Sequence, residues 1–185
     1  MRKNLGPKPL LFPQPVLIVA AYDIDGKPNA MNVAWGGVSD SHHVTMCLSG
    51  NHKTVSNILI TGAFTISIGT VSSVIACDYL GIVSGNNEQN KLEKAGLTTS
   101  KSEFVNAPII NELPFTLECK LVSYNRESGK LIGEIVNVSV DEEIMTKEKI
   151  DIQKFQPICY DPANHYYLRI GEKVGDAFED GEKLK

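Results

Sequence analysis

The sequence predicts a mainly β protein: a closed or split barrel of about six antiparallel strands, with two or three short helices outside it. Three observations carry this. Runs rich in β-branched and aromatic residues recur along the chain, several alternating apolar with polar. Glycine-containing turns join neighbouring runs as hairpins, which demands antiparallel pairing. The helical segments are short and irregularly placed, unlike the regular βαβ repeat of a doubly wound parallel sheet.

Each element has its own signal. Val16–Tyr22 follows Pro15 and reads as a buried strand, and Asp25-Gly26 is a hairpin turn. Ala30–Gly37 continues as a strand with Gly36-Gly37 as its break, and Val44–Ser49 is a third strand. Lys53–Thr61 fits a helix with Val55, Ile58 and Leu59 on one face and Gly62 as its stop. Phe64–Ile68 alternates apolar with polar, the pattern of a half-buried strand. Ser72–Leu80 reads as a helix capped by Ser72, and Glu88–Ala95, ended by Gly96, as another. Phe115–Leu121 and Leu131–Val140 alternate again, and the polar Asn125–Lys130 between them closes a long hairpin. His165–Ile170 is a last short strand before a polar, Gly-rich tail.

The 185 residues suit one domain spanning the whole chain, long enough to bury a core without disulfides or metals. A hydrophobic content of 42% and a net charge of −4 exclude disorder as the main state. Mild acidity without a basic run argues against a nucleic-acid partner. Pro13 and Pro15 interrupt the apolar Leu10–Ala21, so neither a membrane span nor a signal peptide is expected. Cys47, Cys77, Cys119 and Cys159 are dispersed with no C-x-x-C pair, which points to a reducing cytoplasm. Cys47 and Cys119 lie in apolar runs and are expected to be buried thiols.

Four stretches carry candidate chemistry. Ser49-Gly50-Asn51-His52-Lys53-Thr54 lies between a strand end and a helix start. The first amides of a helix lack acceptors, Ser49 or Asn51 can cap, Gly50 permits close approach, and Lys53 and Thr54 add a charge and a hydroxyl; together these describe a phosphate site. An ordinary capped helix with a solvated lysine would read the same way. A Walker A loop is excluded because His52 precedes Lys53. The strand Asn29-Ala30-Met31-Asn32-Val33-Ala34-Trp35 offers flat apolar contact and edge hydrogen bonds to a planar ligand, or else is a core strand with two turn asparagines. The loop Gly81–Asn87, with Ser84 and Gly85, leads to Lys91. Lys91 and Lys94 alternate there with Glu88 and Glu93, the usual look of a solvated helix face. His165-Tyr166-Tyr167 reads either as a pocket wall or as packing. His42-His43 lacks the spacing of a zinc site, no G-x-S-x-G elbow occurs, and Asp141-Glu142-Glu143 reads as a solvated turn.

With these residues in hand, the chain resembles the flavin reductase-like family, and within it the flavoredoxin branch. The resemblance rests on Asp25-Gly26-Lys27-Pro28-Asn29-Ala30-Met31, Trp35-Gly36-Gly37, Lys53-Thr54 with Asn57-Ile58, and Gly62–Ser67. It continues through Tyr79–Gly85 with Lys91, Ala95–Thr98, and Tyr166-Tyr167 with Gly171–Phe178. It implies an FMN-binding split β-barrel of Greek-key type, usually a homodimer with the flavin near the subunit interface. The phosphate would fall on Ser49–Thr54 and the ring beside Asn29–Trp35, with Ser84, Gly85, Lys91, His165 and Tyr166 completing the pocket. Asn32 stands where the family often has Thr or Ser, and Lys53 where Arg is common, which keeps the charge but loses the bidentate fork.

The implied activity is that of an FMN-dependent oxidoreductase. A nicotinamide, NADH or NADPH, would reduce the flavin at N5, with Met31–Val33 amides near N5 or O4 and Lys91 near N1 and O2. No catalytic side chain and no metal are needed, since the cofactor does the chemistry. The alternative is a flavoredoxin-type electron carrier reduced by a redox protein. Cys77 is expected not to reach the flavin.

Overall fold

The computed structural model describes residues 1–185. Its frame is a seven-stranded antiparallel sheet made from β1 (Leu17–Tyr22), β2 (Pro28–Val33), β3 (Gly36–Val38), β4 (His43–Cys47), β5 (Ala63–Ile68), β6 (Phe115–Tyr124) and β7 (Lys130–Val140). The strand order is β2-β1-β5-β6-β7-β4-β3. The two edge strands are therefore β2 and β3, which only Ala34 and Trp35 separate in the chain. Two residues span less than about 10 Å, so the sheet must curl until its edges nearly meet: a split barrel. This is also why the expected single strand Ala30–Gly37 is two strands. The chain leaves one edge of the sheet at Val33 and joins the other at Gly36.

Strand β1 is apolar throughout because both its faces are covered. Leu17, Val19 and Ala21 point into the barrel with Met31, Val44, Met46 and Phe64, to which helix α1 (Lys53–Thr61) adds Val55 and Ile58. Ile18 and Ala20 point outward into a second core with Cys77 and Leu80 of α2 (Val74–Ile82) and Leu92 of α3 (Lys91–Lys94). Phe64 fills the barrel beside Gly133 of β7, where an added Cβ would lie 2.3 Å from the ring. The glycine is thus a seat for the ring.

Strand β5 corrects the half-buried reading of Phe64–Ile68. Thr65 and Ser67 alternate with apolar residues, yet both are fully buried. Thr65 Oγ1 donates to the Pro108 carbonyl at 2.6 Å, and Ser67 Oγ pairs with Thr116 Oγ1 at 2.8 Å. A second layer, the short pair Thr99–Lys101 and Pro108–Ile110, lies outside the barrel, and sequence alternation does not announce it. A buried hydroxyl is tolerated once it has a partner.

Other boundaries moved less. Helix α2 starts at Val74, and Ser72 makes no capping bond to it. The expected helix Glu88–Ala95 shrinks to α3, with Gly96 in the left-handed region after it. The β6–β7 hairpin forms as expected, with Gly129 at φ 70° making its turn. The last strand, β9 (Tyr166–Arg169), pairs with β8 (Ile158–Asp161), which the sequence pattern did not reveal. Helix α4 (Ile152–Phe155) was likewise not foreseen. Cys119 and Cys77 are buried as small apolar groups, but Cys47 is exposed, because it ends β4 on the outer face. No helix is long and apolar enough to cross a membrane.

Candidate functional site

The edge strand β2 is paired on one side only, with β1. Its residues therefore alternate between amides spent on β1 and amides that face outward. The Ala30 carbonyl accepts from Lys91 Nζ at 2.9 Å, so Ala30 is of the outward set. Two residues on, Asn32 presents its amide and carbonyl the same way, whereas those of Met31 and Val33 turn toward β1. Helices flank this free edge. The Asn29 side chain donates through Nδ2 to Thr54 Oγ1 of α1 at 2.6 Å, and the Asn32 side chain through Nδ2 to the Cys77 carbonyl of α2 at 3.0 Å. The space between the start of α1, the end of α2 and the free edge is a cleft.

Nine of the seventeen residues singled out from the sequence converge on it: Asn29, Met31, Asn32, His52, Lys53, Thr54, Ser84, Gly85 and Lys91 line it together with Leu80–Val83. Ala30 stands behind its wall and contributes its carbonyl. Val33 and Trp35 line a shallower groove that continues from Met31 and Asn32 toward Cys47 and His52. Trp35 is 59% exposed.

The start of α1 departs from expectation. Ser49, Gly50 and Asn51 are exposed and lie outside the cleft. The residue at the N-cap is His52, whose side chain makes no capping bond. Ser49 and Asn51 form a turn one step too early to reach the helix amides. The first bond of the helix region runs from Ser56 N to the His52 carbonyl, so the amides of Lys53, Thr54 and Val55 have no acceptor within the protein. Three free donors, the positive end of a nine-residue helix, Lys53 and the Thr54 hydroxyl share one corner. The Asn51 carbonyl has a different use: it accepts from Asn86 Nδ2 at 3.0 Å and ties the Ser84–Asn87 loop to this corner.

Two glycines set how close that loop comes. A Cβ on Gly85 would lie 2.2 Å from Asn29 Oδ1, and one on Gly81 3.3 Å from the Asn32 side chain. A side chain at 85 would force a shift of either the loop or the Asn29 side chain, which is held by its bond to Thr54 Oγ1.

Lys91 corrects the reading of its segment as a solvated face. Lys94 is exposed and pairs with Glu88, as that pattern predicts. Lys91 is only 3% exposed. Its ammonium donates to the carbonyls of Ala30 (2.9 Å) and of Leu80 at the end of α2 (2.8 Å). The carbonyl end of a helix is the negative end of its dipole, so the charge is well placed. No carboxylate accompanies it, and burial pulls its pKa down to about 8. Only one N–H of the ammonium is left for a ligand.

His165 and Tyr166 do not join the cleft. His165 sits in the β8–β9 turn with φ 60°, its Nδ1 2.5 Å from Tyr160 Oη. It lines a second cavity, which meets the cleft wall at Asn32 and Gly81. Tyr166 is 60% exposed; by strand alternation its neighbour Tyr167 faces that cavity and donates to Asp78 Oδ1 at 2.8 Å. Burial, and then the Asp78 carboxylate, push the Tyr167 phenol up. Tyr167 belongs to the stretch singled out from the sequence, whereas Tyr160 and Asp78 were missed. The β8–β9 pairing that would have signalled Tyr160 is formed by residues with no clear alternation. Cys77 lies in the second core with its thiol near Ser73, away from the cleft, and burial raises its pKa.

A β-barrel with a cleft at its split edge, rich in unpaired amides and walled by backbone, is a receptacle for a planar ligand carrying an anion. The comparisons agree in kind. The flavin reductase like domain matches residues 10–166, and the chain belongs to that family. It is similar in structure to the flavoredoxin of Desulfovibrio vulgaris (Miyazaki F), with a TM-score of 0.93 and 38% identity, covering 98% of this chain and 100% of that one. It is also similar to a flavoredoxin from Methanosarcina acetivorans, with a TM-score of 0.86 and 25% identity, covering 100% and 98%. An uncharacterized protein of Aquifex aeolicus is 28% identical over 176 residues, 88% of each chain.

Proposed function

We propose that the cleft holds FMN and that the protein is an FMN-dependent oxidoreductase of the cytoplasm, reduced by NADH or NADPH. The observation that carries this is the corner at the start of α1, where three unpartnered amides, Lys53 and Thr54 form an anion site at one end of a slot with an outward-facing strand edge. The donor set fits the group: cation and amides for a phosphate, and backbone hydrogen bonds and flat walls for a ring. When bound, FMN supplies a centre that accepts a hydride and releases electrons singly or in pairs.

The chain's residues then have distinct tasks. The amides of Lys53, Thr54 and Val55 bind the phosphate. The outward-facing Asn32 amide and the free N–H of Lys91 orient the ring edge and favour negative charge there. Gly81 and Gly85 let the Gly81–Gly85 backbone close over the ligand and exclude water. The partner of a homodimer would cover the exposed Trp35 and the exposed Ile75 and Ile82 of α2.

A second reading is favoured by the similarity to flavoredoxins: an electron carrier reduced by a redox protein and not by a nicotinamide. One experiment separates them. The visible spectrum of the purified protein is recorded, with FMN added if the protein is colourless, and NADH or NADPH is then mixed in anaerobically. Bleaching of the flavin bands supports the oxidoreductase. Bands that persist favour the carrier, and a failure to take up FMN rejects both.

A further inference from the structure

The anion corner is less positive than its lysine suggests. Lys53 Nζ stands 3.7 Å from Asp23 Oδ2. The other oxygen of that carboxylate accepts from the amides of Asp25 (3.0 Å) and Lys27 (2.8 Å), so the Asp23–Lys27 turn holds the group in place. Asp25 and Lys27 line the same recess, which opens off the cleft at Asn29, Lys53 and Gly85. Lys27 Nζ is engaged by Asn90 Oδ1 at 3.2 Å. Two carboxylates and two ammoniums sum to zero side-chain charge beside a site meant for an anion.

We infer that Asp23 is a specificity-setting residue, one that deliberately weakens the hold on a ligand phosphate and makes the flavin exchangeable. This rests on the FMN reading above. The mechanism is electrostatic. Asp23 shares the Lys53 ammonium with the incoming phosphate and repels that phosphate at short range. Because its other oxygen is pinned by the turn, the carboxylate does not swing aside when the ligand arrives. Phosphate recognition is thereby shifted from Lys53 onto the neutral amides of α1. Riboflavin carries no phosphate for Asp23 to repel, so Asp23 would lower the preference for FMN over riboflavin.

The test is Asp23→Asn, which keeps an oxygen for the two turn amides and removes only the charge. FMN and riboflavin are titrated separately into the wild-type protein and the variant, following flavin fluorescence at low and at high salt. FMN affinity should rise about 3- to 10-fold at low salt and less at high salt, with riboflavin affinity unchanged. Asp25→Asn, which removes a charge not paired with Lys53, should act less. Asp23→Ser offers the same turn acceptor by a second route if the asparagine variant folds poorly. Unchanged or weakened FMN binding, or equal tightening of both flavins, overturns the inference while the FMN reading stands. A wild-type protein that binds neither flavin overturns that reading, and the inference with it.

Discussion

Lys53 and Lys91 stand on the same cleft and live in opposite electrostatic worlds. Lys53 is half-exposed and faced by a carboxylate at 3.7 Å; Lys91 is buried and held by two backbone carbonyls with no anion in contact. Water screens the first, so its charge is cheap to keep and weak in effect. Nothing screens the second, so its charge is costly to keep and strong in effect. One chain thus offers a ligand a mild cation at an open corner and a potent one deep in the wall. The contrast teaches that the distance of a lysine from a site says little until its solvation is known.

The largest expected effect bears on Lys91. Its pKa in the fold, about 8, lies below the unfolded value, so between those values the unfolded chain binds more protons. Stability should therefore rise with pH from about 8 to 10.4, by about 3 kcal/mol from this group alone. Urea denaturation of the wild type and of Lys91→Met across that range measures it. The variant should lose that part of the slope, and a slope that survives intact would remove Lys91 as its source.

Next comes the wall opposite. Gly85→Val places a side chain where Asn29 already stands, and overpacking of this kind costs about 1–3 kcal/mol. The strain falls on the cleft, so FMN affinity should drop about 10- to 100-fold, beside a fall in melting temperature of about 2–10 °C. Calorimetric titration beside a thermal scan separates the two effects; equal affinity would show that the loop does not close on the ligand.

The smallest effect is the open corner. A charged hydrogen bond is ordinarily worth about 1.5–3 kcal/mol, but exposure and the Asp23 carboxylate lower the share of Lys53. Lys53→Ala should weaken FMN binding by about 1 kcal/mol or less. A tenfold or greater loss in a fluorescence titration would mean that Lys53 abandons Asp23 for the ligand.

A thiol assay gives one more contrast. Cys47 is exposed and should react with a disulfide reagent within minutes in the native protein. Cys119, pushed up to about 12 by burial, should react only on unfolding. Simultaneous labelling of both would contradict the placement of Cys119 in the barrel core.

Much of the frame is legible without the structure. The long alternating runs of β6 and β7 with their Gly129 turn, and α1 ending at Gly62, follow from local preference, because each element's signal is carried by its own residues. The corner at the start of α1 is legible only in part: Lys53 and Thr54 open the helix as the local pattern predicts, but Ser49, Gly50 and Asn51, read with them, lie outside the cleft. Thr65, Ser67 and Lys91 show where local reading stops. Their polarity says surface, but a second layer of chain takes the Thr65 hydroxyl, Thr116 of the neighbouring strand pairs with Ser67, and α3 tucks Lys91 beneath β2.

By itself, then, the sequence determined the class of fold, the main strands, and nine of the residues that line the cleft. Periodicity and turn chemistry act within a dozen residues, so a linear string records them. Tertiary structure alone decided which edge of the barrel is open, which lysine is dry, that Asp23 faces Lys53, and that Tyr167 and not Tyr166 faces the neighbouring cavity. Those facts depend on strands and loops far apart in the chain meeting in space, and on the water they displace when they do.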